Sequence, residues 1–454
     1  MFYTRASVEK KIYFIHKYYC SYMPHGKKPT IALTGATGFL GSHLMASMLT
    51  NGYGIIVFGR SSKDEKLSER ISKLLRWFGI ENLTDHVTCV DADLSQNNLG
   101  INNEEYARLC STVGSVIHCA SDTSFSENKR EKVMAANINN LQGILDFSAK
   151  AKVDFFHYIS TAYVAGSGIT YCNEVLSSSK TFTNVYEESK AAAEKIISEF
   201  CLKNDIKLSI IRPSIVYGDS HTGRSLKFNA LYFPVRSAQS IRDIYLNDIN
   251  NNGGIKASKN GVFIDKDGYM FLPLKIYLPF EGDLNIIPVD YFVNATIKII
   301  ENCSKSGIYH LTNNFPTTMK IVAKYYEQLM KVKGVEIIYG DQPANLLRNS
   351  AEELFDRFIE PYRPYLSDKR VFDRTNASLA TEGLNPPEFT YEIFKICMEY
   401  AIEVDWDVGE WATRSGDCMS WYGTSDYGRK LRLGGATRTG TSLCNCYHAI
   451  GPRF

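Results

Sequence analysis

The sequence lacks the features that mark several classes of protein. Its eleven cysteines form no C-x-x-C pair and show no cysteine–histidine spacing of the kind that holds zinc. No apolar run approaches the roughly 18 residues that a membrane-spanning helix needs. The first 28 residues contain no continuous apolar stretch of the secretory type. We therefore expect a cytoplasmic protein with reduced thiols, no bound metal and no membrane span.

Charge of either sign is not in excess. The 51 Lys and Arg residues against 49 Asp and Glu residues leave a net charge of +2 at pH 7. So small a charge creates no overall field to attract nucleic acid, and we expect no nucleic-acid partner. The hydrophobic fraction of 44% is ordinary for a globular protein, and 454 residues exceed what one compact core usually contains. A large domain with a smaller companion is the expected arrangement.

Short apolar strands alternate regularly with helical patterns from Thr30 onward. The predicted strands cover 31–34, 55–58, 87–90, 115–118, 155–160 and 208–211. Such alternation predicts an α/β protein with a doubly wound parallel sheet, the Rossmann fold. The alternation is lost after residue 223, so a smaller C-terminal cap is expected there, and residues 238–267 are interpreted as an irregular insertion.

The predicted domain organisation follows from where the pattern changes. In chain order the parts are an N-terminal extension (1–28), a nucleotide-binding core (29–225, completed by about 285–315), a substrate-binding cap (226–284 and 316–404) and a loosely ordered tail (405–454).

A glycine-rich segment connects the first predicted strand to the first predicted helix. Gly35 permits the tight turn, Gly38 lets the backbone approach a pyrophosphate, and Gly41 allows close packing of helix on strand. The free N–H groups at the start of the helix would bind the phosphates. The residues of this segment predicted to bind a dinucleotide are Gly35, Thr37, Gly38, Phe39, Leu40 and Gly41.

The end of the second strand indicates which dinucleotide binds. An Asp or Glu usually stands there to hold the ribose hydroxyls of NAD, whereas this sequence has Arg60, whose guanidinium suits a 2′-phosphate. Arg70 could add to the same phosphate site, although a solvated charge on a helix explains it equally well. The expected cofactor is therefore NADPH.

Further candidates for the cofactor site follow other strands. They are Asp93 and Leu94 after the third strand, Ala120 after the fourth, and Pro213 and Ser214 after the sixth. Asp93 has an alternative explanation as an ordinary helix N-cap. His118 is expected to line the wall of the site and not to act as an acid or base.

A phenol and an ammonium group stand four residues apart at Tyr186 and Lys190, and so lie on one face of a helix. A free phenol with a pKa near about 10 serves neutral proton transfer poorly, and a nearby ammonium lowers that pKa. Thr161 ends the fifth strand, where its hydroxyl can hold the substrate oxygen beside the phenol. We therefore predict Thr161, Tyr186 and Lys190 as catalytic residues for hydride transfer to a carbonyl group, with Tyr186 and Lys190 also contacting the cofactor.

These motifs, in this order, resemble the extended short-chain dehydrogenases/reductases (SDRs). Within that group the sequence is similar to the thioester reductase and fatty acyl-CoA reductase branch, which carries the male-sterility-type NAD(P)-binding domain. The likeness covers roughly 29–313 and depends on four segments: 93–100, 118–125, 212–223 and 287–291. Ala92 and Asn97 depart from the branch's G-D-L-S-x-P-x-L-G pattern.

The resemblance implies an NADPH-dependent reductase of acyl thioesters. The thioester would be carried on CoA or on an acyl or peptidyl carrier protein, and the product would be an aldehyde or an alcohol. Members of the extended family are often homodimers, so that state is left open for this chain.

Other functions fit part of the same pattern. A nucleotide-sugar epimerase or dehydratase would share the three catalytic residues. However, such 4,6-dehydratases carry Asp-Glu where Ala162-Tyr163 stand, and epimerases retain NAD, which Arg60 disfavours. An NADPH-dependent ketoreductase acting on a free small-molecule ketone is the main alternative. A non-catalytic NADPH-binding regulator is disfavoured, because the catalytic residues are intact.

Overall fold

The computed structural model describes residues 28–342 and 348–408. The predicted tail from residue 409 onward lies outside the described residues, and so does the predicted N-terminal extension except for Lys28. No helix in the described ranges is long and apolar enough to cross a membrane.

Fourteen strands are found in the described ranges. In chain order they are β1 (Thr30–Thr34), β2 (Gly54–Gly59), β3 (Val87–Asp91), β4 (Val113–His118), β5 (Phe155–Ile159), β6 (Tyr171–Cys172), β7 (Lys207–Pro213), β8 (Ile215–Tyr217), β9 (Phe263–Ile264), β10 (Met270–Leu278), β11 (Ile286–Pro288), β12 (Gly307–Leu311), β13 (Val332–Tyr339) and β14 (Val371–Phe372).

The same ranges contain thirteen α-helices. They are α1 (Phe39–Thr50), α2 (Leu67–Phe78), α3 (Asn103–Thr112), α4 (Arg130–Met134), α5 (Leu141–Ala151), α6 (Val185–Lys203), α7 (Tyr232–Asn251), α8 (Ile255–Lys259), α9 (Val289–Asn302), α10 (Met319–Met330), α11 (Ser350–Ile359), α12 (Thr375–Ala380) and α13 (Tyr391–Glu403).

Seven of the strands form the central sheet, in the order β12-β7-β5-β4-β1-β2-β3. Every neighbouring pair in this sheet is parallel. The predicted doubly wound Rossmann fold is thereby confirmed. The strand order reverses between β1 and β4, and open α/β sheets bind ligands outside the carboxyl ends of the strands at such a point.

Hydrophobic side chains cover both faces of the central sheet. In β1, Ile31 and Leu33 belong to one buried cluster, whereas Ala32 between them belongs to the cluster on the other face. Burial on both faces explains why these strands are continuous apolar runs and do not alternate with polar residues.

The cap has a hydrophobic cluster of its own. Helices α7, α10, α11 and α13 contribute buried residues to it, as do strands β10 and β13 of the small sheet β13-β10-β9. Two pairs of short parallel strands, β11 with β8 and β14 with β6, link distant parts of the chain. In the pair β14–β6, residues 371–372 reach the segment that follows β5.

Two predictions about the cap region differ from the structure. Residues 238–267 were expected to be irregular, but α7 and α8 occupy much of this range. The buried residues Val235, Ala238, Ile241 and Tyr245 share one face of α7, and their packing in the cap outweighs the weak helix propensity of its Asn and Asp residues. The expected tail begins at residue 405, yet Trp406 is buried, with its ring 6.2 Å from that of Phe228.

The helix before β5 also departs from the simple pattern. The sequence predicts one helix over 133–150, whereas the structure has α4 and α5 joined by a π-helical turn at Ala135–Asn139. A π turn accommodates an extra residue and is frequent at functional sites.

Candidate active site

The glycine-rich turn passes between the end of β4 and the start of α1. Gly35 has a left-handed φ of 75°, and a Cβ there would lie 2.6 Å from the backbone nitrogen of Ala120. A Cβ on Gly41 would overlap the carbonyl oxygen of Gly35. Both positions therefore require glycine. Gly35 needs it for its left-handed conformation and for lack of space, and Gly41 needs it because α1 packs closely on the turn.

The start of α1 is prepared for an anion. Gly38 stands at the N-cap, no side chain caps the helix, and its first turn carries no acidic residue. The first N–H groups of the helix are therefore left for a ligand, and the helix dipole favours a negative one. Thr37, Phe39 and Leu40 are half-buried around this helix start. These features fit the pyrophosphate of a dinucleotide.

Arg60 and Asp93 follow the neighbouring strands β2 and β3, and Arg70 reaches Arg60 from helix α2. Arg60 is exposed, and Arg70 Nη1 donates to its carbonyl oxygen at 3.2 Å. Hydrogen bonds from Ser95 hold the pKa of Asp93 below its usual value, and the Arg60 charge acts in the same direction. The Asp93 carboxylate thus stabilises its own turn, and Leu94 beside it is half-buried.

The three predicted catalytic residues meet at the carboxyl end of β5. Thr161 follows that strand directly, and its hydroxyl is near enough to Tyr186, in the first turn of α6, to act on the pKa of the phenol. One turn later, the buried Lys190 donates from Nζ to the carbonyl oxygen of Ile159 at 2.6 Å. The ammonium also lies 4.3 Å from the centre of the Tyr158 ring.

Burial dominates the electrostatics of this group. It raises the pKa of Tyr186 and lowers that of Lys190 to about 8. The sequence reasoning expected Lys190 to lower the pKa of the phenol, but burial raises it, the charges of Cys119 and Glu187 act in the same direction, and only the neighbouring Thr161 hydroxyl opposes the rise. The phenol of Tyr186 is therefore protonated at neutral pH and able to donate a proton.

His118 lines the wall behind these residues. The Thr34 hydroxyl lies 2.8 Å from His118 Nδ1 and accepts from the backbone N–H of Ala120 at 3.3 Å. Burial, followed by the charge of Lys190, lowers the pKa of His118 to about 3. The imidazole is therefore neutral, as expected for a wall residue, and Ala120 is half-buried beside it.

Pro213 and Ser214 close the far side of the site at the end of β7. Both are buried, and the Ser214 backbone donates to Leu311 at 3.0 Å. Within the described part of the chain the buried Ser214 hydroxyl has no hydrogen-bond partner. A buried hydroxyl of this kind fits a polar group of a bound cofactor, such as the nicotinamide carboxamide.

Sequence reasoning missed Asn137, which lies in the π turn between α4 and α5. Its side chain is 2% exposed, donates to Ser189 Oγ at 2.9 Å and accepts from the Asp122 backbone at 2.7 Å. Ser189 in turn donates to the carbonyl oxygen of Tyr186 at 2.8 Å. A polar residue within the expected apolar helix was the signal that could have identified this support of α6.

The chain is similar to a known protein family and to individual known proteins. The NAD-binding family described as male sterility protein matches residues 33–296, more than half of the chain. The L-2-aminoadipate reductase large subunit of Candida glabrata is 27% identical over 372 residues, which are 77% of this chain and 26% of that protein. Fatty acyl-CoA reductase 2 of Homo sapiens is 25% identical over 224 residues, 41% of this chain and 43% of that protein. The chain thus spans less than half the length of either relative.

A solved structure with the same fold is the terminal R domain from the myxalamid PKS-NRPS biosynthetic pathway. Its TM-score is 0.66 at 21% sequence identity, and the match covers 84% of this chain and 92% of that domain.

Proposed function

The chain belongs to the male sterility protein family of extended SDRs, and on that premise we propose that it is an NADPH-dependent reductase of acyl thioesters. The observation that carries the proposal is the meeting of Thr161, Tyr186 and Lys190 at the end of β5, beside a helix start left free for a pyrophosphate. Both relatives described above are named as reductases, one of them of fatty acyl-CoA.

The catalytic residues act on the carbonyl oxygen of the thioester. When bound, NADPH supplies the hydride that the carbonyl carbon accepts. Thr161 and Tyr186 donate hydrogen bonds to the oxygen as it becomes negative, and the protonated Tyr186 phenol then gives it a proton. The carbon–sulfur bond of the resulting hemithioacetal breaks, the thiolate leaves with the electron pair, and the Tyr186 phenolate takes the proton back. The product is an aldehyde.

Lys190 serves binding in this proposal. Its bond to the Ile159 carbonyl fixes the ammonium at the end of β5, and its other N–H groups are available to the cofactor ribose. Arg60 and Arg70 would hold the 2′-phosphate of NADPH, since a guanidinium offers several donors to phosphate oxygens.

The cap supplies the acyl site in the same proposal. Residues 226–284 and 316–404 would bind the acyl group, and CoA or a carrier protein would present it. A cytoplasmic location and a homodimer stay predictions from the sequence.

Oxidation of NADPH, followed by its absorbance, tests the proposal. The substrates are a panel of acyl-CoAs, acyl-pantetheine as a surrogate for a carrier, and free ketones, with NADH as the alternative donor. We expect oxidation that depends on thioester, prefers NADPH and falls by about 100-fold or more in Tyr186→Phe. Tyr171→Phe, at an exposed tyrosine of β6, is the matched control.

The other outcomes are equally informative. Oxidation with free ketones alone would identify a ketoreductase. A wild-type protein that binds NADPH but oxidises it with no substrate of the panel would reject the thioester reductase.

A further inference from the structure

A buried carboxylate lies directly beside the candidate proton donor. Glu187 follows Tyr186 in α6, is 0% exposed, and its charge raises the pKa of the phenol. A buried charge requires hydrogen bonds to compensate its lost hydration. Both oxygens of Glu187 have one: Oε2 accepts from the Thr183 backbone N–H at 3.0 Å, and Oε1 accepts from the Tyr365 phenol at 2.6 Å.

Tyr365 joins the cap to the start of the catalytic helix. It ends the 3-10 segment Glu360–Tyr365, which we name the cap segment. Asn184, the N-cap of α6, donates from Nδ2 to the Tyr365 phenol oxygen at 2.6 Å and accepts from the Glu187 backbone at 3.1 Å. The phenol is therefore held by two side chains of the first turn of α6, and withdrawal of the cap segment would leave the Glu187 carboxylate short of a partner.

Neighbouring side chains stabilise the contact between Glu187 and the Tyr365 phenol. Burial raises the pKa of Glu187, while the hydrogen bond from Tyr365 and the charge of Arg370 favour its ionised form. Arg370 pairs with Asp368 at 2.7 Å and lies 4.6 Å from the centre of the Tyr163 ring. That ring meets the Tyr365 ring edge-on at 5.1 Å.

The cap segment also contributes to a row of aromatic rings that leads away from Tyr186. We define the aromatic row as Phe125, Tyr362 and Phe233. Successive ring centres, from Tyr186 through the row, are 5.9, 5.7 and 5.0 Å apart, and the Tyr365 ring supports Phe125 from 5.5 Å. All three rings of the row are half-buried. This exposure is what side chains that line a cleft would show.

The row offers an apolar surface to whatever is attached to the reacting carbonyl. The carbonyl must lie against Tyr186, so its substituent can extend along Phe125 and Tyr362. The one cation of the cap segment, Arg363, is turned to Asp356 at 2.7 Å and to a backbone carbonyl of β10. Its charge is therefore already paired.

We propose that the Tyr365–Glu187 hydrogen bond is a positioning contact that holds the aromatic row against Tyr186 and thereby gives the enzyme its preference for large apolar acyl groups. This inference rests on the proposed thioester reductase function. Glu187 and Tyr365 act through the row and through Tyr186, and neither touches the reacting atoms.

Tyr365→Phe keeps the ring and removes the hydroxyl, which donates to Glu187 and accepts from Asn184. We expect KM for a long-chain acyl-CoA to rise about tenfold, as for loss of one hydrogen bond to a charged group. KM for acetyl-CoA, which does not reach the row, and Kd for NADPH should change less than about twofold. Glu187→Gln should give the same pattern, and the double variant should be no worse than Tyr365→Phe alone, because both changes weaken the same Tyr365–Glu187 contact.

Tyr171→Phe is again the matched control. Equal losses with both acyl-CoAs, accompanied by weaker NADPH binding and a lower melting temperature, would show a purely structural role. Unchanged KM values for both substrates would also overturn the proposal, as would a strictly additive double variant.

Hydrogen exchange separates this inference from the proposed function. The Thr183 amide donates to Glu187, so Tyr365→Phe should speed exchange at residues 183–187 about tenfold while α1 keeps its protection. If the wild type reduces no thioester, the proposed function fails, and this exchange still shows whether the contact positions the helix. Unaltered exchange would reject the positioning contact in either case.

Discussion

At the scale of single residues, burial decides whether each predicted catalytic side chain holds its proton. Tyr186 and Lys190 share one helix face, as their spacing predicts, but burial shifts their pKa values in opposite directions. Both shifts favour the neutral form of the side chain, because desolvation penalises charge whatever its sign. The phenol keeps its proton at neutral pH, whereas the ammonium becomes sensitive to mildly alkaline pH.

Binding of NADPH should weaken as the pH rises through about 8, the pKa to which burial lowers Lys190. The ammonium form, which predominates below that pH, is the one that would donate to the ribose in the proposed site. Fluorescence titration between about pH 6.5 and 9.5 should show Kd rising up to about tenfold per unit above the pKa. Lys190→Met should bind weakly at every pH, and a wild-type profile as flat as that of the variant would contradict the assignment.

The same shift makes a signed contribution to stability. The unfolded lysine keeps its usual pKa of 10.5, against about 8 in the folded protein. Between those values the unfolded state holds a proton that the folded state has lost, so this contribution to stability rises with pH across that window. Comparison of urea unfolding in wild type and Lys190→Met isolates it.

Arg60 should set the choice between the two nicotinamide cofactors. It is exposed at the end of β2, with Arg70 bonded to its carbonyl oxygen. Arg60→Ala should raise Kd for NADPH about tenfold to 100-fold, since charge-assisted bonds to phosphate are lost, and leave Kd for NADH nearly unchanged. Arg76→Ala, at an exposed arginine of α2, is the control. An equal loss for both cofactors would assign Arg60 to another role.

At the scale of secondary-structure elements, the sequence predicted the strands and turns that a local pattern determines. Six strands of the central sheet and the turn at Gly35 follow from apolar runs and a glycine motif, and each of these six strands is within two residues of its expected position. Helix α7 was missed because its core-facing residues alternate with Asn, Asp and Gln, whose local preferences are for turns. Its helical form depends on packing in the cap, which no local window shows.

The C-terminal end of helix α10 can be stabilised by a single substitution. Lys331 follows α10 in the left-handed region, with φ of 52°, and its side chain is exposed. Glycine adopts this conformation without steric cost, so Lys331→Gly should increase the free energy of unfolding by about 0.5–1 kcal/mol.

The matched control for that change is Lys324→Gly, at an exposed position within the same helix. It should lower the free energy of unfolding by about 1 kcal/mol, because glycine in a helix interior costs backbone entropy. Urea unfolding of both variants gives the comparison, and equal signs for the two would contradict the left-handed cap.

At the scale of the whole molecule, the contacts that join cap to core were beyond sequence reasoning. Tyr365 reaches Glu187 across 178 residues, and Glu174 accepts from the backbones of His310 and Ala377 across 136 and 203 residues. Neither glutamate belongs to a motif, and each would be interpreted from sequence as a solvated charge. Only the folded chain shows that both are buried and that both fasten distant segments to the Rossmann core.

The buried pair of Arg212 and Glu194 is a second such junction. Arg212 Nη2 lies 2.6 Å from Glu194 Oε2, and the side chains are 2% and 1% exposed. Arg212 also donates to the Val175 carbonyl at 2.9 Å and lies 3.2 Å from the imidazole of His310, while Ser160 donates to Glu194 at 2.6 Å. Strands β7 and β12, helix α6 and the segment after β6 therefore share one charge pair.

Loss of a single partner should destabilise the whole chain. Glu194→Leu leaves an uncompensated buried guanidinium, and Arg212→Met an uncompensated carboxylate, so each should lower the free energy of unfolding by about 3–5 kcal/mol. The double variant removes both charges and should cost clearly less than the sum of the two single changes. Urea unfolding at pH 7 measures the stability of all three variants. His310 is neutral at that pH, because burial lowers its pKa to about 3. Additive losses would mean that the two charges stabilise the fold independently, each through its other hydrogen bonds.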